Sequence, residues 1–217
     1  MIRPLHAQRG TVWREIPFSL MAAIALFLLC NDSIFASNPN LLARNDGLIL
    51  LLFFLIFIIY TFGIPKIEVE ELPDLKKISL FKIIIFMIIG LAGLFFGGTF
   101  VVDNAVVLAK HFGLSDRVIG LTIIAVGTSL PELVTSAVAA YKKQVDIAIG
   151  NIVGSNIFNI FLILGITSII KPLPFKASLN IDLAVLVVAS IALFFSVFTG
   201  PNHRISRIEA SFFLILY

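Results

Sequence analysis

Residues 120–136 read GLTIIAVGTSLPELVTS, and they place a carboxylate, Glu132, inside an otherwise apolar run. A charged side chain at the centre of a bilayer costs at least ~2.5–3.5 kcal/mol and by default marks an ion or substrate pathway. Pro131, one residue earlier, has no N–H, and its ring crowds the carbonyl four residues back, that of Gly127. A helix is therefore expected to break or kink at Gly127 and Pro131, leaving the carbonyls of Ala125–Gly127 without helical partners. Those carbonyls, the hydroxyls of Thr128 and Ser129 and the carboxylate of Glu132 form a cluster of hard oxygens. Such oxygens suit Na⁺ or Ca²⁺ better than softer metals.

The next apolar run, residues 150–166, reads GNIVGSNIFNIFLILGI. Asn151, Ser155 and Asn159 fall at i, i+4 and i+8, which predicts one polar stripe along a helix. Gly150 and Gly154 make a small-xxx-small pair, which predicts close helix packing. These amides and glycines could serve helix association alone. For Ser155 and Asn159, beside a segment that carries Glu132, cation contact is the favoured reading.

The rest of the chain is of the same apolar kind. Of 217 residues, 59% are apolar, 13% are charged and 21 are Phe, with a mean hydropathy of +1.06. Soluble domains carry about a quarter of their residues as charged side chains, so a cytosolic domain, a disordered tail and a nucleic-acid binder are all excluded. The partner is a lipid bilayer. Runs of about 20 apolar residues, the length needed to cross ~30 Å of hydrocarbon, lie near 16–31, 47–64, 80–102, 118–141, 147–170 and 181–200. A seventh begins near Ile208 and reaches the last residue after about ten positions. The expectation is an all-α polytopic membrane protein with six full transmembrane helices and a truncated seventh.

Alternating connections put eleven basic residues on one side, including Arg3, Arg9, Arg14, Lys76, Lys142 and Arg204. Five, Arg44, Lys110, Arg117, Lys171 and Lys176, fall on the other. The positive-inside rule then places the N-terminus in the cytoplasm. The polar stretch 65–77 is a solvated connector. Residues 103–117 read as a short amphipathic helix at the water boundary, holding Asp103 and His111 and closed by Gly113, with Ser115 capping the next helix. The single cysteine, Cys30, rules out an intrachain disulfide.

An internal repeat is visible. Ile2-Arg3-Pro4-Leu5 recurs as Ile170-Lys171-Pro172-Leu173, Ala23–Phe27 as Ser190–Phe194, and Arg44-Asn45-Asp46 lines up with Arg207-Ile208-Glu209. Five spans, an odd number, separate the copies, so they would enter the membrane from opposite faces, as in the inverted duplications of many secondary transporters. The division this predicts is 1–64 as the end of a first half, 65–79 as a cytoplasmic connector and 80–217 as a second half. The second half carries the paired motifs at about 115–170, and no equivalent of them precedes the first copy.

The paired motifs resemble the second α-repeat of the calcium/cation antiporter superfamily, the sodium/calcium exchangers and their prokaryotic relatives. The flanking spans are similar too, so the resemblance covers nearly the whole chain. It implies a ten-helix, inverted-repeat exchanger fold with ions bound at mid-membrane. Aligned on GTSLPE, the ion contacts would be the Ala125 carbonyl, Thr128, Ser129 and Glu132; aligned on GSNIFN, Ser155 and Asn159. Many exchangers carry an acid at the position of Asn159 in one repeat, and GTSxPE occurs here once.

The reading that follows is a secondary cation antiporter exchanging Ca²⁺ for Na⁺, or for H⁺, by alternating access. It needs no cofactor and sits in the inner membrane of a prokaryote. The chain reads as an incomplete exchanger that lacks the first α-repeat and would work with a missing N-terminal half or a homo-oligomeric partner. The alternative is a non-transporting membrane subunit, a scaffold or an inactive fragment. Enzyme chemistry is disfavoured, because His6, His111 and His203 all fall outside the expected spans and metal or nucleophilic catalysis would want such groups within them.

Overall fold

The computed structural model describes residues 5–6, 15–35, 40–63, 79–199, 204–205, 209, 211 and 213. Grouped by packing, the chain forms two compact units, Met1–Pro65 with Ala139–Tyr217, and Lys66–Val138. That grouping cuts across the halves expected from the repeat.

In the first unit, helix α1 (Ile16–Leu29) is followed by the single turn α2 (Asp32–Phe35) and by α3 (Arg44–Gly63). Its second stretch of chain holds α8 (Val145–Ile157), a π-helical segment Phe158–Leu164, α9 (Gly165–Ile170) and α10 (Asn180–Thr199). Helix α1 packs chiefly along α10, and α3 along α9 and the π-helical segment. Ile16, Leu26, Leu50, Val153, Ile157, Phe161 and Val197 form the buried centre. Phe53 stacks on Phe161 at 5.5 Å between centroids, and Phe54 meets Phe158 edge-on at 5.0 Å.

In lipid the hydrophobic effect does not hold helices together, so small residues that permit close approach carry more of the association. The crossing of α3 over α9 shows this. A Cβ on Gly47 would lie 2.6 Å from the Gly165 carbonyl oxygen and would overlap the Ser168 hydroxyl.

Two short antiparallel ladders tie the unit. Strand β1 (Leu5–His6) pairs with β4 (Arg204–Ile205), and β2 (Leu41–Leu42) pairs with β3 (Leu173–Pro174). The loop before α3 is stitched by side chains: Asp46 Oδ2 accepts from the Ala43 N–H at 2.8 Å, and Asn40 Oδ1 from the Ser33 N–H at 2.9 Å.

In the second unit, α4 (Leu80–His111) is one uninterrupted helix of 32 residues. This corrects the expected end of a span near 102 and the separate short helix over 103–117. The polarity of Asp103-Asn104 does not stop the helix, because Asn104 donates its side-chain amide to the Phe100 carbonyl at 2.7 Å. The real terminus is Gly113, in the left-handed region at φ +76°. The N–H of Gly113 reaches the Lys110 carbonyl and that of Leu114 the Ala109 carbonyl, the closing pattern that glycine favours at this position. Ser115 Oγ then accepts from the Val118 N–H at 3.4 Å, capping α5 (Asp116–Ile119) as expected. A π-helical segment Gly120–Ile124, α6 (Ala125–Thr128) and α7 (Leu130–Tyr141) follow.

Among the described residues, four helical runs are long and apolar enough to cross a membrane, namely Arg44–Gly63, Leu80–His111, Val145–Ile170 and Ala177–Phe198. Thr122–Thr128 with Leu130–Tyr141 adds a fifth if that bent pair is one span. The count differs from the expected six at α1. Its 14 residues rise about 21 Å, short of the hydrocarbon core. Asn31 ends it, donating its side-chain amide back to the Phe27 carbonyl at 2.8 Å. The truncated seventh span lies outside the described residues, apart from positions 209, 211 and 213, and the connector 65–79 lies outside them apart from Ser79.

Candidate cation site

The break expected at Pro131 is present. Helices α6 and α7 meet at Ser129 with a bend of 53°. The Ser129 N–H bonds the Val126 carbonyl at 3.1 Å, a tightened i→i−3 turn, and normal helical bonding resumes with the Leu133 N–H on the Ser129 carbonyl at 3.0 Å. Thr128 Oγ1 donates to the Ala125 carbonyl at 2.9 Å. The Ala125 and Val126 carbonyls, expected to lack helical partners, do not stand open. Both are engaged locally, one by a hydroxyl and one by a backbone amide. Each carbonyl oxygen has two lone pairs, so one interaction leaves capacity for a cation.

Glu132 stands in the first turn of α7. The positive end of a helix dipole favours a carboxylate there. The side chain is half-buried and its Oε2 is shielded from solvent. Thr128 and Ser129, four and three positions before it, are exposed. One turn beyond, the Ser136 hydroxyl is buried, a polar neighbour on the same helical face that the sequence reading did not single out.

Gly127 has a sharper role than loosening the helix. A Cβ there would overlap Cγ2 of Val102 on α4, so the missing side chain is what lets α4 lie against α6. Immediately before α6, residues Gly120–Ile124 wind as a π-helix. Widened turns of this kind recur at functional sites.

In the other unit, Asn151 and Ser155 lie within α8 and are half-buried, while Asn159 is exposed and sits in the second π-helical segment. The expected i, i+4, i+8 stripe is therefore interrupted at Phe158, where the winding widens. Of the two glycines expected to pack closely, Gly150 lies against a side chain: a Cβ there would come 3.2 Å from Oε2 of Glu15. Gly154 is a correction, since a Cβ on it would meet nothing within 4 Å. The tight glycine contact in this unit is at Gly47 and Gly165. Glu15 is a half-buried carboxylate that the basic N-terminal arm had concealed from a reading by charge. Among the described residues, no three His, Cys, Asp or Glu side chains cluster as a metal centre.

The family model for sodium/calcium exchanger protein matches residues 82–217, more than half of the chain and the whole of the bent-helix region. The chain belongs to the sodium/calcium exchanger family. A protein of Alkalimonas amylolytica named as an antiporter, CaxA, is 33% identical over 227 aligned positions covering 100% of this chain and 69% of its own length. The sodium/calcium exchanger MaX1 of Methanosarcina acetivorans is 38% identical across 63% of this chain and 39% of its own. A solved structure of the sodium-calcium exchanger NCX_Mj superposes with a TM-score of 0.78 at 31% identity, covering 100% of this chain and 67% of that one. The chain thus spans between about two-fifths and two-thirds of the length of these exchangers. Membership in this family makes it a membrane protein of the ion-transport, antiport class, and the family is one of transporters, not of catalysts.

Proposed function

We propose that this chain carries the second α-repeat of a secondary antiporter that exchanges Ca²⁺ for Na⁺, or for H⁺, by alternating access. The observation that carries the reading is Glu132. It is a half-buried carboxylate in the first turn after a 53° bend, inside a helix pair apolar enough to be one span. The Ala125 carbonyl, the Thr128 and Ser129 hydroxyls and Glu132 are the proposed cation ligands. Ser155 and Asn159 are proposed as further oxygen donors on the strength of their motif. The cargo ions need no cofactor. Competition between two ions for shared oxygens, each occupancy favouring different conformations, supplies the coupling.

The inverted arrangement of the repeat is part of the same proposal. The leading strand of each copy, β1 or β3, pairs with the trailing strand of the other, β4 or β2. The helices between them, α1 and α10, pack on each other. A two-fold relation that exchanges the copies would generate this pairing. Counted with α1 as a span, the excess of basic residues on one side supports a cytoplasmic N-terminus, and prokaryotic relatives such as that of Alkalimonas amylolytica support an inner membrane.

Sodium-driven Ca²⁺ uptake by everted vesicles from cells expressing the protein, wild-type against Glu132→Gln, tests the reading. Glu132→Gln keeps the shape and removes the charge, so uptake is expected to fall to background. Undiminished sodium-driven uptake in that variant overturns the site.

A further inference from the structure

The break in the helix borders a cleft of about 310 Å³ whose far wall is α4. From α4, Phe95, Thr99 and Asp103 recur at intervals of four, which puts them on one helical face. From the other wall come Gly127, Thr128 and Pro131. One carboxylate and two hydroxyls therefore face a space that several waters could fill, at about 30 Å³ each. Both hydroxyl protons are already committed. Thr99 Oγ1 donates to the Phe95 carbonyl at 2.9 Å and Thr128 Oγ1 to the Ala125 carbonyl at 2.9 Å. What each hydroxyl retains is its oxygen lone pairs, so both can act only as acceptors, which is what a cation requires.

Asp103 is exposed on α4, where it borders the cleft. It lies eight residues before the end of α4 at His111, about 12 Å along the helix axis. Its neighbour Val102 packs against Gly127 at the break. Among the described residues, Lys110 forms an ion pair, but with Asp116 at 3.4 Å, at the exposed turn.

We propose that Asp103, with the hydroxyls of Thr99 and Thr128, forms a hydrated subsite for a monovalent cation of the Na⁺ class, adjoining the Glu132 site and sharing Thr128 with it. The inference rests on the cation-transport reading above. A single carboxylate with neutral oxygens balances one positive charge. A divalent ion would keep an uncompensated charge in apolar surroundings, so the subsite selects Na⁺ over Ca²⁺. Thr128 joins the two positions, and an ion at Asp103 is one ligand away from the oxygens around Glu132.

The test is labelling of the purified protein in detergent with dicyclohexylcarbodiimide, an apolar reagent for carboxylic acids. Modification of Asp103 and of Glu132 is read separately by peptide mass spectrometry. In Na⁺, labelling of Asp103 is expected to slow several-fold relative to choline, and Thr99→Val is expected to abolish that protection while leaving Glu132 protected. Equal labelling of Asp103 in Na⁺ and choline, with Glu132 still protected, overturns the subsite alone. Protection of Asp103 with none at Glu132 supports the subsite and overturns the reading of Glu132 as a ligand. Absence of protection at both overturns the two together. Protection of Asp103 by Ca²⁺ at lower concentration than by Na⁺ overturns the monovalent assignment.

Discussion

Gly127 on α6 and Val102 on α4 are in such close contact that a Cβ on the glycine would occupy the space of the valine's Cγ2. The glycine of the GTSLPE motif thus fixes the distance between two helices as well as sitting at a bend. Gly127→Ala should force α4 outward or push Val102 off its rotamer, costing about 1–3 kcal/mol as other overpacked sites do. Adding Val102→Ala should recover most of the loss, because the extra methyl then has room. A double-mutant cycle from chemical unfolding in detergent measures this. Simple addition of the two single effects would mean that the contact is not the cause.

Pro131 removes one backbone donor and crowds the Gly127 carbonyl. Pro131→Ala supplies an N–H that can bond that carbonyl, so the 53° bend between α6 and α7 should relax. Stability is expected to stay level or rise, and cation flux to fall at least tenfold, since straightening displaces Thr128 and Ser129 from Glu132. Distances between spin labels at either end of the pair would report the straightening independently of transport.

How much of this was legible in the sequence depends on the kind of signal. The break at Pro131 was legible because proline acts through local covalent geometry. The closing role of Gly113 and the cap at Ser115 were legible for the same reason. The two π-helical segments, Gly120–Ile124 and Phe158–Leu164, were not. Their composition is that of any apolar helix, and the contacts of the second, Phe158 and Phe161 against Phe54 and Phe53, are tertiary ones that no local pattern announces. The end of α4 was expected near 102 because hydropathy falls at Asp103. Yet a helix continues through polar residues when their side chains can bond back to it, as Asn104 does. Gly150 and Gly154 carried the expected small-residue spacing, but spacing does not say which face meets a neighbour. The close approach occurs at Gly47, which no motif marked.

The Thr128 hydroxyl is both a donor to the Ala125 carbonyl and a proposed cation ligand. Thr128→Val keeps the shape and removes both roles, whereas Thr128→Ser keeps both. Apparent affinity for the transported cation should weaken about tenfold in the valine variant, the factor that corresponds to the ~1.4 kcal/mol of one net hydrogen-bond-sized interaction. The serine variant should remain close to wild type. Flux in vesicles over a range of cation concentrations gives both values. Equal impairment in the two variants would show that the methyl group, and not the oxygen, is what matters.

Lys143 holds a left-handed backbone, φ +61°, in the turn between α7 and α8. It closes α7 much as Gly113 closes α4, with the Gln144 N–H on the Ala139 carbonyl at 2.8 Å and the Lys143 N–H on the Ala140 carbonyl at 3.1 Å. An L-residue with a Cβ is strained in that region by about 1 kcal/mol, and glycine is not. Lys143→Gly should therefore stabilise the protein by about 0.5–1 kcal/mol, with the greater freedom of glycine in the unfolded chain offsetting part of the relief. Lys143→Ala separates charge from conformation, because it removes the same ammonium group but keeps the strain, and should show no gain. Thermal unfolding of the three proteins in one detergent decides the matter, and equal stability of the glycine and alanine variants would assign any effect to the charge alone.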